Sequence, residues 1–272
     1  MEVKKIMSEP ETIDKDQRLS HALDLLEKKG VDRLIVTQDK ELTGILTYAD
    51  IADRLDVSKV VAVSISRLHV SSAMSGSVIT VSPKDDITDV ANLMLERGMS
   101  GCPVVDDEDN IVGVITKIEL SKLVQKFDNV AVEDLMTAED LLVASPVDRL
   151  VKARLDMLTA GFSGLPVTDG GAVVGLLTEK LVAEAMARFT SKVPDKYRSN
   201  QVRQIRVVDA MQQQPPVVNK ETSIAEASTR MLDAKLNTLP VVDENDRLVG
   251  IISATDFTRF VANNFQVPEN SN

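Results

Sequence analysis

The sequence is poor in the side chains that most often carry covalent or metal chemistry. It has no tryptophan, one cysteine (Cys102) and two histidines (His21 and His69) among 272 residues, and aromatic residues make up 3%. One cysteine excludes a disulfide framework and favours a reducing compartment, and these three side chains cannot build a typical structural zinc site. Because no nucleophile pair and no P-loop is present either, we expect no enzymatic activity, no catalytic cofactor and no metal.

A basic surplus and long apolar segments are also lacking. Lysine and arginine number 31 against 42 aspartates and glutamates, a formal net charge of −11, so nothing in the composition suits nucleic acid binding. No apolar run approaches roughly 18 residues and no signal-peptide core follows the start MEVKK, which favours a soluble, cytoplasmic protein that does not enter a membrane. A small anion can still be held locally by backbone amides and a few cations.

Three signatures recur four times in the same order, which predicts four copies of one structural unit. The first, which we call the leader, reads Val-x-x-hydrophobic-Met; the second begins a strand after a helical stretch; the third is a glycine motif that ends in Ser or Thr. The leaders occupy 3–7, 70–74, 132–136 and 207–211; the strand segments occupy 30–36, 98–106, 161–169 and 236–243; the glycine motifs occupy 42–47, 111–116, 172–178 and 248–253.

Each copy predicts the element order βαββα, a mixed α/β (α+β) fold. In copy two a β-rich segment (79–83) precedes a helix whose apolar residues lie three and four apart. Gly98 stands where a left-handed residue would end that helix, as Gly30 and Gly161 do in copies one and three. Two strands around a polar turn (107–110) then form a hairpin, and a second helix follows directly.

One unit of about 55 residues buries too little surface to be stable alone. We therefore expect two modules, residues 1–126 (copies at about 3–56 and 70–126) and residues 127–272 (copies at about 132–189 and 207–262), with the boundary at FDNVA, 127–131. The polar, basic linker at 190–206 is expected to cross the surface of the second module. Cys102 aligns with leucines of other copies, which predicts a small buried apolar residue.

These signatures resemble the cystathionine-β-synthase (CBS) domain family arranged as two tandem pairs, called Bateman modules. Four copies at this length resemble the branch that contains the γ subunits of AMP-activated protein kinase and their archaeal relatives. The resemblance implies that paired units pack about a pseudo-twofold axis and leave clefts for adenosyl ligands. In the family's Gly-h-h-[Ser/Thr]-x-x-Asp motif the aspartate binds the ribose and the Ser/Thr binds a phosphate, where helix N-terminal amides favour anions and the glycine allows a close backbone approach.

The four copies match this motif unequally. Copies one and four match in full, with Gly44, Thr47 and Asp50, and with Gly250, Ser253 and Asp256; copy two has Gly113 and Thr116 but Glu119; copy three has Gly175 and Thr178 but Leu181. The resemblance therefore implies one good nucleotide site per module, a weaker site at Glu119 and a poor or empty one in copy three.

Each of these residues also has an ordinary structural interpretation. The pattern [Ser/Thr]-x-x-[Asp/Glu] is a capping box that stabilises a helix start without any ligand; Glu119 fits that role better, whereas Asp50 and Asp256 fit the nucleotide site better. Arg33 stands where the kinase-subunit branch places a phosphate-contacting arginine, but it is equally explained as a surface arginine at a strand edge. The linker cations are explained by solvation or by phosphate binding; they are Lys192, Lys196, Arg198, Arg203 and Arg206.

The function expected from the resemblance is regulatory binding of AMP, ADP or ATP, with the output passed to a protein partner or to a homodimer. A sensor of S-adenosylmethionine or methylthioadenosine is the first alternative, since the same aspartates would bind its ribose. A ligand-free interaction scaffold, in which the motifs are only helix caps, is the second.

Overall fold

The structure is a computed structural model, and it describes residues 1–55 and 63–265. The helices of this part are α1 Leu19–Lys29, α2 Tyr48–Arg54, α3 Ile87–Glu96, α4 Lys117–Leu123, α5 Leu150–Ala160, α6 Glu179–Lys192, α7 Asp195–Gln201, α8 Ile224–Asp233 and α9 Ala254–Asn264. The strands are β1 Thr12–Asp14, β2 Arg33–Gln38, β3 Glu41–Thr47, β4 Gly101–Val105, β5 Ile111–Thr116, β6 Gly164–Asp169, β7 Ala172–Thr178, β8 Gln212–Gln213, β9 Thr238–Val242 and β10 Leu248–Ser253. The mixed α/β architecture and the four repeated units are confirmed.

The first β element of each copy is shorter than the sequence predicts. In copy one it is β1, which pairs in parallel with β2. In the other copies it is a single parallel bridge, from Val81, Ala144 or Val218 to the first hairpin strand. The following two strands form an antiparallel hairpin with one register shift in every copy, and the second helix begins directly after the hairpin, which places its N-terminus beside the glycine motif.

Left-handed residues end the first helix of each copy, as the glycine pattern predicts. Gly30 and Gly161 are left-handed C-caps with φ of 66° and 68°, and Gly98 has φ of 63°. Copy four uses Lys235 at φ of 54° for the same turn, at the steric cost that a Cβ brings in this region. In each copy this turn leads directly into the first, buried strand of the hairpin. In copy two that strand carries Cys102, which is fully buried as expected.

The leaders are exchanged between neighbouring copies. Each leader opens as a short 3-10 turn and pairs with the body of the adjacent copy rather than with its own. The backbone of Ser8, which follows leader one, exchanges two hydrogen bonds of 2.9 Å with Val114 of copy two, and Ser75, which follows leader two, exchanges bonds of 2.9 and 3.0 Å with Ile45 of copy one. Leaders three and four do the same on copies four and three.

The chain forms two compact units, each made from separate segments. Unit 1 comprises Met1–Pro10, Ile79–Leu141 and Pro216–Asn272, and unit 2 comprises Glu11–Val78 and Leu142–Pro215. Unit 1 therefore combines the bodies of copies two and four with leaders one and three, and unit 2 combines the bodies of copies one and three with leaders two and four. The expected modules 1–126 and 127–272 describe a different grouping, which stays a prediction.

Within unit 1 the helices of copies two and four pack closely. The Ser228 hydroxyl of α8 donates to the Ser121 carbonyl of α4 at 2.7 Å, and both serines are fully buried. Phe257 of α9, a helix that packs against α4, is also fully buried. Unit 2 has its own core of Leu, Ile, Val, Ala and Met side chains from copies one and three, together with the aromatic Tyr48.

The linker is more ordered than expected. It forms α7 and a 3-10 turn over Val202–Gln204, with Val202 buried. Arg198 is also buried and bonds to the Val193 carbonyl and to Asp195, each at 2.6 Å, so a purely solvated run is wrong for this residue. Lys192, Lys196, Arg203 and Arg206 are exposed. None of the helices in the described residues has the length and apolar character needed to cross a membrane.

Candidate functional site

The glycine motif of copy one ends in a capping box at the start of α2. The Thr47 amide and hydroxyl donate to Asp50 Oδ2 at 2.8 and 2.6 Å, and the Asp50 amide donates back to the Thr47 hydroxyl at 3.3 Å. The other carboxylate oxygen, Oδ1, accepts from the Ser75 hydroxyl at 3.2 Å. Since Ser75 follows leader two, the exchanged leader lies against the predicted ribose-binding side chain.

Copy four repeats this geometry at the start of α9. The Ser253 amide and hydroxyl donate to Asp256 Oδ2 at 2.9 and 2.7 Å. Oδ1 of Asp256 accepts from Arg259 Nη1 at 2.9 Å, and the aspartate is buried whereas the arginine is exposed. Oδ1 of Asp256 is therefore bonded to an exposed cation, whereas Oδ1 of Asp50 is bonded to the hydroxyl of Ser75, which follows leader two.

The motifs of copies two and three, which have Glu119 and Leu181 in place of the aspartate, differ from these two in their hydrogen bonds. Glu119 is buried, accepts from the Thr116 amide at 3.0 Å and from the Thr116 hydroxyl, and also accepts from the Ser8 hydroxyl at 2.8 Å and Lys122 Nζ at 3.4 Å. Its longer side chain thus reaches the leader of copy one and uses both oxygens in structural bonds. In copy three the Thr178 hydroxyl only accepts the Leu181 amide at 3.3 Å.

The motif glycines have a packing role that sequence reasoning missed. A Cβ added to Gly113 would lie 2.6 Å from Met7 Sδ, and the same holds at 2.5 to 2.9 Å for Gly175 with Met211, Gly250 with Met136 and Gly44 with Met74. Each methionine is the last residue of the leader that the copy receives. The expected close approach of backbone to ligand is therefore not needed to explain the glycines, because the exchanged methionine occupies that space.

Arg33 is not a surface residue, so that interpretation is wrong. Its side chain is buried and forms a two-point ion pair with Asp32, at 3.0 and 2.9 Å. Burial opposes ionisation of Asp32, but the charge and hydrogen bonds of Arg33 outweigh it and hold the pKa of Asp32 below its ordinary value. Arg33 is also the cross-strand partner of Thr47, so the pair lies next to the copy-one motif.

A further set of residues near the motifs was not singled out from the sequence. The residue after the motif Ser/Thr is Tyr48, Lys117, Glu179 or Ala254 in copies one to four. Lys117 Nζ donates to the Thr255 hydroxyl of copy four at 2.9 Å. Burial, followed by the nearby charges of Asp32 and Asp50 and opposed by Arg33, raises the pKa of Glu179 to about 7. The sequence signal that could have identified this position is the difference in charge among the four copies, which includes one lysine and one glutamate.

A cavity of about 380 Å³ in unit 2 lies away from the predicted motifs, against α1 and α6. Glu27 and Glu184 face it together with Arg188. Burial, and then the hydrogen bond that protonated Glu184 donates to Glu27, raises the pKa of Glu184. None of the predicted site residues lines this cavity, so we place the candidate ligand chemistry at the motifs and not here.

Comparison with known proteins gives a consistent assignment. The profile of the CBS domain matches residues 3–57, 70–126, 132–188 and 202–263. Protein MJ1225 of Methanocaldococcus jannaschii is 29% identical over 194 residues, which cover 70% of this chain and 68% of that protein. Its crystal structure, described as that of an archaeal homologue of the γ subunit of AMP-activated protein kinase, matches with a TM-score of 0.82 at 23% identity and covers 96% of this chain and 99% of that one.

Other similarities are more distant or partial. The structure of a conserved protein from Pyrococcus horikoshii matches with a TM-score of 0.63 at 20% identity, over 96% of this chain and all of that one. The homoserine O-acetyltransferase of Methanosphaera stadtmanae is 35% identical over 115 residues, which are 42% of this chain but 23% of the enzyme. So small a share of the enzyme carries no inference about acetyl transfer.

Proposed function

Because the chain belongs to the CBS-domain family, with four matched domains, we propose that it is a regulatory, non-catalytic protein that binds AMP, ADP or ATP at the motifs of copies one and four. The observation that carries the proposal is the position of Asp50 and Asp256. Each lies one turn after a Ser or Thr at a helix N-terminus, where backbone amides favour a phosphate and a carboxylate can accept two ribose hydroxyls.

The capping boxes are compatible with this role. In both copies the box uses only Oδ2, while Oδ1 is bonded to Ser75 or to the exposed Arg259. A carboxylate offers about four lone-pair sites, so Oδ1 can exchange these partners for ribose hydroxyls without loss of the helix cap. Glu119, which already accepts four internal donors, is a poorer acceptor, and copy three offers none.

The exchanged leaders give the ligand a route to a regulatory output. A ribose that replaces Ser75 at Asp50 changes a contact between the body of copy one and the leader of copy two, so ligand binding favours one arrangement of these segments over another. The exchange joins copy one with two and three with four, which supports the proposed modules 1–126 and 127–272. The output is then passed to a protein partner or to a second copy of the chain.

A second ligand class is supported by one observation. Arg33, the expected phosphate contact of copy one, is already bound to Asp32. A ligand without phosphate, such as S-adenosylmethionine or methylthioadenosine, needs the aspartate but not this arginine. The ligand-free scaffold is supported only by the capping boxes, which both functions share.

Calorimetric titration with AMP, ADP, ATP and S-adenosylmethionine tests the proposal. We expect binding to the wild type, and Asp50→Asn and Asp256→Asn should each weaken one site about tenfold or more, since a hydrogen bond to a charged group contributes about 1.5–3 kcal/mol. Asp246→Asn, in the exposed copy-four hairpin turn, is the matched control and should bind as the wild type does. If none of the four ligands binds at millimolar concentration and the motif variants only lose the stability of a helix cap, roughly 0.5–2 kcal/mol, the scaffold is the correct function.

A further inference from the structure

The two candidate sites have equivalent motifs but opposite surroundings. In each unit, the residue that begins one second helix extends toward the second helix of the other copy. In unit 1 this residue is Lys117 of copy two, and in unit 2 it is Glu179 of copy three. A cation therefore approaches the copy-four motif and an acid approaches the copy-one motif.

The copy-four motif is surrounded by positive charge. The Lys117 ammonium lies 2.9 Å from the Thr255 hydroxyl, in the first turn of α9. Arg259 lies on the same helix and bonds to Asp256 Oδ1 at 2.9 Å. Two cations and one carboxylate thus stand at a helix N-terminus that is itself partly positive. A phosphate placed beside Ser253 meets an attractive field.

Acidic side chains outnumber cations around the copy-one motif. Glu179 lines a small cavity with Ala49 and Ala52 of α2, the helix that carries Asp50. The charged groups that face Glu179 are Asp32, Asp50 and Arg33 from copy one and Arg154 from α5. Each arginine is engaged by a carboxylate, Arg33 by Asp32 and Arg154 by Asp53 at 2.7 Å.

The balance of these charges decides which ligands each site accepts. The two ion pairs in unit 2 carry no net charge as pairs, so Asp50 and, above about pH 7, Glu179 give the site an excess of negative charge. Above about pH 7, where Glu179 ionises, a phosphate beside Thr47 would have to approach both carboxylates, or separate Arg33 from Asp32. An uncharged or cationic group in the same place meets no such repulsion.

We propose that the copy-four site selects adenosine ligands that carry a phosphate, whereas the copy-one site selects adenosine ligands that carry none. This inference rests on the proposed function, because it assumes that both aspartates bind a ribose, and it narrows that function by assigning the nucleotides to copy four and the phosphate-free ligands to copy one. Lys117 and Glu179 act as specificity-determining residues supplied by the partner copy of each unit. One chain would then report on two different adenosine compounds.

The test compares AMP with adenosine at one site at a time, in the full chain. Asp50→Asn leaves the copy-four site, where AMP should bind at least about tenfold more tightly than adenosine. Adding Lys117→Gln should remove most of that preference and leave the adenosine affinity unchanged. Asp256→Asn leaves the copy-one site, where at pH 8, with Glu179 ionised, AMP should bind no more tightly than adenosine, and adding Glu179→Gln should strengthen AMP binding about tenfold.

The outcomes separate the two proposals. If adenosine and AMP both fail to bind the wild type, the proposed function fails, and the selectivity falls with it. If both bind but show the same AMP-to-adenosine ratio at the two sites, only the selectivity is wrong. The selectivity is also wrong if Lys117→Gln or Glu179→Gln changes the affinities for AMP and adenosine equally, because the side chain would then only shape the site. Retained adenosine binding shows that a variant is folded.

Discussion

Replacing Glu179 with glutamine should raise the free energy of unfolding by at most about 3 kcal/mol at pH 8 and by less than about 1 kcal/mol at pH 5. The pKa of this carboxyl rises from 4.5 to about 7 on folding, chiefly through burial and then through Asp32 and Asp50. Each pKa unit corresponds to about 1.36 kcal/mol. Glutamine keeps the shape of the protonated acid and carries no charge, so it removes the cost of ionising Glu179 in the folded state.

The direction of the effect with pH follows from proton uptake. Between pH 4.5 and 7 the folded protein holds the proton of Glu179 while the unfolded chain has lost it, so the contribution of this residue to stability falls as pH rises. Below 4.5 both states are protonated and the contribution is constant. The wild type should therefore lose stability relative to the glutamine variant across this window and lose little more above pH 7.

Urea denaturation of both proteins at pH 5, 6, 7 and 8 measures the difference. Glu244→Gln, in the exposed copy-four hairpin turn, is the matched control and should give a difference near zero at every pH. A Glu179→Gln difference that does not grow with pH would show that the glutamate is ionised in the folded protein throughout.

Replacing Gly113 with alanine should lower the free energy of unfolding by about 1–3 kcal/mol, the usual cost of overpacking. The new methyl group would lie 2.6 Å from Met7 Sδ, closer than real side chains approach, and 3.0 Å from Met7 Cγ. All three of the nearest atoms belong to Met7. In a Met7→Ala background the same substitution should therefore cost less than about 0.5 kcal/mol, and the double-mutant cycle reports the difference.

Two other glycines provide controls for this cycle. Gly76→Ala meets no atom within 4 Å and should leave stability unchanged or slightly raised. Gly44→Ala meets the Ser75 carbonyl oxygen at 2.9 Å as well as Met74, so Met74→Ala should rescue it only in part. A Gly113→Ala cost that persists in the Met7→Ala background would mean that the leader methionine is not the cause.

The repeated units could be predicted because their signals are local. Helix periodicity, left-handed glycines and hairpin turns lie within a few residues of one another, and the structure places all of them as expected. The first strands were overestimated because their extent depends on pairing with a distant strand. The leader exchange could not be predicted, since the four leaders share one signature, the four bodies share another, and nothing in either signature says which leader belongs to which body.

The candidate site was predictable only within each copy. The spacing of Thr47 and Asp50 determines that their side chains meet, as they do in the capping box. Whether they also bind a nucleotide stays a prediction. Lys117 and Glu179 were missed because their relevance comes from the neighbouring copy, which the linear sequence does not identify. The burial of Arg33 likewise depends on the packing around its pair with Asp32.

The leader exchange also determines when each unit can be completed during synthesis. Ser8 leaves the ribosome first, but its partner Val114 follows about 100 residues later, a delay of roughly 5–20 s at ordinary rates of translation. During that time Gly113, the glycine against which Met7 packs in the folded chain, has not yet been synthesised, although the body of copy one can already receive leader two. Leader one is therefore translated before leader two but docks after it. A ribosome that pauses between copies one and two leaves leader one exposed for longer.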